Sequence, residues 1–340
     1  MPKHRYIWMA LLLTTLACQQ PRETHRAFYH WKQRYAPSSG ETAMLQKLAA
    51  SRLYVKCFDV DQRGDKAIPV AISDFRAAFP DSVFIVPVVF IMNEVWRRND
   101  TTLTHGVARR TAALLAHLCR NIPPERIPEI QLDCDWTRST RDAYFAFLRA
   151  IRNEPFFQHR LLSATIRLHQ VKYSGGSGVP PVDKGLLMCY NMGDLRKPGD
   201  HNSIIDPETL QSYTGNNRII QYPLPLDFAL PLFEWDVLFR KGQYAGLTRN
   251  MPVADERIFR KSGDFSYTVM KDTAISNVRL HPGDVIRRED SRPDVLRKAA
   301  KQLSQQRQAH APVIIFYHLE PGILNKYDLH ELETIYSLFG

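Results

Sequence analysis

Two carboxylates spaced two residues apart, Asp133 and Asp135, lie in the stretch Glu129-Ile-Gln-Leu-Asp-Cys-Asp-Trp-Thr137. Alternation along a strand puts Ile130, Leu132 and Cys134 on one face and Gln131, Asp133 and Asp135 on the other. The run is apolar and free of Gly and Pro, so it reads as a largely buried strand. Two carboxyls on one buried face are costly unless they are paired or used. Used, they supply a nucleophile, a base or a charge stabiliser; paired, one caps a turn and the other meets an Arg or Lys. Ser139 then reads as the N-cap of a helix, so the acids stand where a strand turns into a helix.

Elements of the same kind run along the whole chain. Strands are expected at 25–31, 52–58, 83–92, 129–135, 161–169, 185–191, 218–223 and 313–320. Between them fall helices near 41–51, 104–121, 141–152, 206–213, 292–308 and 328–339. The helix at 141–152 shows its period in Tyr144, Phe145, Phe147, Leu148 and Ile151. The run Val83 to Met92 is continuously apolar, as a strand covered on both faces is. Eight strands alternating with helices, without a Gly-rich dinucleotide loop after the first, predict an α/β fold, a closed (β/α)8 TIM barrel rather than an open sheet. An insertion at about 241–290 is expected between the last two strands, within a barrel domain spanning 25–340.

A barrel of this kind works at the C-terminal ends of its strands. Collecting those ends gives His30 and Trp31, Asp59 and Asp61, Asn93 and Glu94, Asp133 and Asp135, Arg167 and His169, Tyr190 and Asn191, Trp235, His318 and Glu320, with Lys56 one turn below. Aromatic faces beside carboxylates and amides suit a sugar, whose C–H faces stack while its hydroxyls hydrogen-bond. Catalytic candidates are Asp133, Asp135, Glu94 and Glu320. Substrate-binding candidates are Trp31, Lys56, Arg167, His169, Tyr190, Asn191, Trp235 and His318. Each has a plainer reading: satisfied histidines, cations that neutralise the two Asp, and tryptophans that belong to the core.

Composition bounds the rest. The chain has 340 residues, 44% hydrophobic and 24% charged, which excludes large-scale disorder. Its formal net charge of +10 is spread rather than clustered, and no zinc-finger, helix-turn-helix or RNA-binding signature accompanies it, so no nucleic-acid partner is expected. Lys3, His4 and Arg5 precede an apolar run from Tyr6 to Leu16 and then Cys18. That is a signal peptide over 1–17, too short for a permanent span, followed by a linker over 18–24. A Cys in this place predicts lipidation of Cys18, and hence an exported protein anchored in a bacterial cell envelope. The alternative is plain secretion. Cys57, Cys119, Cys134 and Cys189 match no metal spacing and read as buried free thiols. No metal and no cofactor are expected.

Asp133-Cys-Asp-Trp-Thr137 resembles the fourth-strand motif of the family-eighteen glycoside hydrolases, the chitinase-like barrels, whose pattern is D-x-x-D-x-D-x-E. Met188-Cys-Tyr-Asn191 resembles their sixth-strand M-x-Y-D, and Phe28-Tyr-His-Trp31 their first-strand Y-x-x-W. The strand order and the insertion agree over most of the chain, which also resembles uncharacterised bacterial exported lipoproteins near that family. The resemblance implies that Asp135 orients an acetamido group and that Tyr190 holds the reacting carbonyl. It also exposes departures. Thr137 stands where the family has its proton-donating Glu, Ile130 replaces the first Asp and Asn191 replaces another, and the last strand lacks its Trp. Three readings follow. The first, favoured by the retained strand-end acids, is a glycan-cleaving enzyme with a relocated acid, Glu94, Glu234 or Glu320. The second is a glycan-binding lipoprotein that kept the barrel and lost the acid. The third is an envelope scaffold docking through the basic insertion.

Overall fold

The computed structural model describes residues 23–97, 100–275 and 277–340. The leader, Cys18 and nearly all of the expected linker lie outside the described residues. Eight parallel strands form the closed barrel: β1 (His25–His30), β2 (Arg52–Arg63), β3 (Phe84–Ile91), β4 (Glu129–Asp133), β5 (Leu161–Arg167), β6 (Lys184–Met188), β7 (Leu226–Pro231) and β8 (Val313–Tyr317). Each pairs with its sequence neighbour, and β8 returns to β1 with Ile315 opposite Ala27. Helices α1 (Ser39–Lys47), α2 (Thr104–Leu118), α3 (Arg141–Arg152), α4 (Pro207–Thr214), α5 (Pro293–Ser304) and α6 (Leu329–Ser337) accompany the strands. The main core lies between strands and helices: Ile130, Leu132 and Cys134 point outward into it, and α3 buries Tyr144, Phe147, Leu148 and Ile151. This is the expected β/α alternation, with each strand's outward row meeting a helix stripe.

The barrel interior is set by the opposite row. Glu129, Gln131 and Asp133 climb the inner wall of β4 from floor to mouth, and all three are buried. At the floor the Glu129 carboxylate accepts from the Tyr54 hydroxyl at 3.2 Å and from the Ser163 hydroxyl at 2.6 Å. It also meets Arg52 at 3.2 Å and Lys184 at 2.7 Å. Lys184 reaches Asp227 at 2.6 Å, and Asp227 accepts the Val313 amide at 2.8 Å. One level up, the Tyr29 hydroxyl donates to Gln131. Burial, reinforced by the Glu129 charge, holds the Tyr54 phenol well above its ordinary value, so it remains a donor.

Three local expectations are corrected. Residues 218–223 form turns rather than a strand; the seventh strand is Leu226–Pro231, fully buried, beginning after Pro223 and Pro225. Asn216 and Asn217 adopt left-handed backbone there, which ends α4 and delays the strand. The cap of α3 is Thr140, not Ser139, and the Thr140 hydroxyl turns away to donate to Asn93 at 2.6 Å. The insertion starts earlier than expected, at Trp235. Its strands Trp235–Arg240, Gln243–Thr248, Phe259–Lys261, Ser266–Val269 and Val285–Glu289 form an antiparallel five-stranded sheet with its own small core around Phe259 and Ile286. Cys57, Cys119, Cys134 and Cys189 are buried and unpaired.

The floor network predicts a large stability effect. Replacing Glu129 by Ala strands Arg52 and Lys184 as imperfectly balanced buried cations, and the expected loss is ~3–5 kcal/mol. Urea unfolding of Glu129→Ala against wild type measures it; an unchanged midpoint would show that the charges are solvated after all.

Candidate functional site at the barrel mouth

Above the floor, the C-terminal ends of the strands enclose a cavity of about 280 Å³ lined by Trp31, Lys56, Asp59, Phe90, Asp133, Asp135, Arg167, Met188, Tyr190, Asn191 and Tyr317. Asp133 and Asp135 extend the inward row of β4, as their spacing requires. The two acids have different partners. Arg167, from the end of β5, grips Asp135 with two bonds, Nε to Oδ1 at 2.7 Å and Nη2 to Oδ2 at 3.0 Å. That planar fork is the strongest geometry available to an Arg–carboxylate pair. Burial opposes the charge on Arg167, but Asp135 outweighs it and the guanidinium is held above its ordinary value.

Asp133 sits deeper and has no cation of its own. Its Oδ1 accepts the Thr165 hydroxyl at 2.6 Å. Burial, then the neighbouring Asp135 charge, push its carboxyl up to about 7. Thr165 and Arg167 oppose that rise without cancelling it. The mouth therefore holds one acid gripped by Arg167 and a second, without a cation of its own, whose carboxyl is pushed up to about 7.

Across the cavity, Lys56 pairs with Asp59 at 2.8 Å and its ammonium lies 5.4 Å from the Trp31 ring centroid. Tyr190 stacks on Tyr317 with centroids 5.1 Å apart, and Tyr317 meets Trp31 at 5.7 Å. Burial and the Tyr317 neighbour hold the Tyr190 phenol well above its ordinary value. Asn191 follows with φ of 53°, a left-handed conformation that Asn tolerates better than most residues.

Of the residues singled out in the sequence, Asp59, Asp133, Asp135, Trp31, Lys56, Arg167, Tyr190 and Asn191 thus converge on one cavity. The others do not line it. Glu94 is exposed on a short helix beside Arg97, in a separate groove between α2 and the hairpin that β2 forms with the antiparallel strand Lys66–Val70. His169 is exposed on the helical turn Leu168–Lys172 that follows β5. Trp235 donates its indole N–H to Glu289 at 2.9 Å, at the base of the insertion. His318 and Glu320 pair with each other at 3.3 Å, and burial lowers the His318 value. Glu234 is bonded to Lys326. Trp136 points outward, stacked on Tyr144, and exposed Thr137 shares its hydroxyl with Ser139 and Thr140.

Sequence reasoning missed Tyr317 and Thr165. Both belong to inward rows, Val313–Ile315–Tyr317 and Ser163–Thr165–Arg167, so strict alternation along β8 would have selected Tyr317 over its neighbour His318. Among the described residues no group of His, Cys, Asp and Glu is arranged to hold a metal.

No protein-family model and no curated protein matches the sequence. Solved structures do match in shape. The spore cortex-lytic enzyme SleL of Bacillus megaterium QM B1551 is similar at a TM-score of 0.53 with 12% identity, over 95% of this chain and 75% of that one. SleL of Bacillus cereus gives 0.51 with 14% identity, over 94% and 75%. The Group IV chitinase of Ostrinia furnacalis, solved with allosamidin, gives 0.53 with 10% identity, over 93% and 98%. The fold is that of the chitinase-like barrels. The likeness is one of architecture.

The raised Asp133 value fixes the sign of a pH effect. In the unfolded chain this carboxyl ionises near 3.8, whereas in the fold it ionises at about 7. Between those values the folded state binds the extra proton, so stability falls as pH rises through that window. Asp133→Asn keeps an acceptor for Thr165 and removes the ionisation. The variant is expected to be the more stable protein at pH 8, by roughly 1–4 kcal/mol, with the difference vanishing below about pH 4. Thermal melts of both proteins from pH 4 to 8 give the answer; parallel curves would refute the assignment.

Proposed function

We propose that this chain is an exported glycan-binding barrel that receives a sugar at its mouth and does not hydrolyse it by the chitinase-like route. The observation that carries this reading is the composition of the cavity. Three aromatic rings, Trp31, Tyr190 and Tyr317, stand around Asp133, the Arg167–Asp135 pair and Asn191. Rings beside fixed polar groups are what a pyranose needs for stacking and hydroxyl recognition. The volume of about 280 Å³ suits roughly one ring, with further units extending over the open rim. Solved barrels of this shape are described as chitinases and as spore cortex-lytic enzymes, which favours a glycan built on amino sugars.

Hydrolysis needs a general acid on the leaving oxygen. Thr137 occupies the position where the resemblance calls for it, and Glu94, Glu234 and Glu320 do not line the cavity. One observation favours a second reading. Asp133 faces the cavity and its carboxyl is pushed up to about 7, the range that suits a proton donor. As an enzyme, the barrel would use Asp133 as acid and the Arg167-held Asp135 as charge stabiliser.

Calorimetric titration with chitotetraose, alongside product analysis, separates the two. Binding without released fragments is expected for wild type, weakened at least ~10-fold in Trp31→Ala and in Asp135→Asn, since each removes a stacking face or the partner that holds Arg167. Fragments from wild type that disappear in Asp133→Asn would establish the enzyme reading instead. Absence of binding and of cleavage would remove both.

Export and anchoring form part of the same proposal and rest on Lys3, His4, Arg5, the apolar run to Leu16 and Cys18. Expressed in a bacterial host, the mature protein is expected in the membrane fraction with a lipidated N-terminal Cys18. Cys18→Ala should abolish the modification, as intact-mass measurement reports. A soluble, unmodified wild-type product would point to plain secretion.

A further inference from the structure

Arg287 and Glu289 form an ion pair inside the insertion, Nε to Oε1 at 2.6 Å, with both residues fully buried. Burying two charges is costly unless every polar atom is satisfied. Here all but one of the partners, the Trp235 indole, lie outside the insertion. Arg287 donates to the carbonyls of Leu195 at 2.9 Å, Lys197 at 2.7 Å and Gly199 at 3.0 Å. Glu289 Oε2 accepts the Ser203 amide at 2.9 Å, the Ser203 hydroxyl and the Trp235 indole. The pair therefore clamps the segment 195–203, which follows β6.

That segment reaches the mouth in one step. The Ser203 carbonyl accepts the amides of Met192 at 2.9 Å and Gly193 at 3.1 Å, the two residues after Asn191. Gly193 lies so close that an added Cβ would come within 3.1 Å of Ser203 Cα, so the contact depends on glycine there. From these contacts we propose that Arg287 and Glu289 are positioning residues for Tyr190 and Asn191, acting through Ser203, so that the insertion and the ligand cavity form one energetically coupled unit. The proposal deepens the glycan-binding reading and rests on it for the ligand.

Hydrogen exchange and ligand titration on the full chain test it. In Glu289→Gln, and more mildly in Ser203→Ala, the peptide containing Met192 and Gly193 is expected to exchange ~10-fold faster or more, while peptides from β1, β3 and β8 keep wild-type rates. Chitotetraose affinity should fall ~10-fold in Glu289→Gln. Because the effect passes through Asn191, Glu289→Gln combined with Asn191→Ala should bind no more weakly than Asn191→Ala alone, whereas combination with Trp31→Ala should be additive. Arg287→Lys should restore part of what Arg287→Met loses. Unchanged exchange at Met192 and Gly193, or additivity with Asn191→Ala, would overturn the proposal. If wild type binds no chitotetraose, the exchange comparison still decides the positioning role, and only the choice of ligand fails. If Glu289→Gln does not fold, Ser203→Ala carries the same comparison.

Discussion

Charge balance inside the barrel is the constraint on which the structure depends. Glu129 is fully buried, and a lone carboxylate there would be prohibitively unfavourable. Arg52 and Lys184 neutralise it, Asp227 shares Lys184, and the Tyr54 and Ser163 hydroxyls occupy the remaining lone pairs. Those groups come from five strands. The network therefore does more than satisfy a charge: it fixes the register of β2, β4, β5, β6 and β7 against one another at the floor. With the floor packed, the same inward rows open at the other end, and on β4 the side chains four and six positions beyond Glu129, Asp133 and Asp135, reach the mouth.

The mouth inherits its electrostatics from that geometry. Lys56 faces Asp59 and Arg167 faces Asp135, which leaves Asp133 as the acid without a cation of its own. A carboxyl buried next to a carboxylate holds its proton, and this inequality between two neighbouring acids is what the site offers chemically. A hydrolase must deliver such a proton to an exocyclic oxygen at the open side of the sugar. Asp133 is the more buried of the two acids, and Thr137 lies outside the cavity, its hydroxyl engaged with Ser139 and Thr140. The proposal of a barrel that holds a ring without breaking its bond rests on that placement.

Much of this was legible in the chain. The D-x-D stretch placed both acids on the inner face because strand alternation is strict over the few residues of β4. The eight-strand count and the α3 stripe followed from equally local patterns. What failed was of two kinds. The seventh strand was misplaced because Ile219 and Ile220 mimic a strand, whereas two left-handed Asn residues and two prolines push the strand to Leu226. On β8, His318 drew attention by its chemistry, although the row through Val313 and Ile315 points to Tyr317. Neither Glu94 nor Glu320 could be excluded from sequence, because strand-end position does not determine which way a side chain leaves the rim.

The insertion presents the opposite problem. Its alternation was visible, but its link to the site was not, since Glu289 and Ser203 are 86 residues apart. Nothing local in Arg287-Arg-Glu289 distinguishes a buried clamp from a solvated charge run, and the composition favours the latter. The distinction arises only when the loop after β6 brings the Leu195, Lys197 and Gly199 carbonyls and the Ser203 amide against the pair. Those groups need partners, and the ion pair needs hydrogen bonds to offset its desolvation. Each requirement is met by the other, so the loop carrying Asn191 and the sheet carrying Glu289 order together. A barrel whose floor is locked by one buried charge network thus has part of its mouth held by a second, contributed by chain inserted between its last two strands.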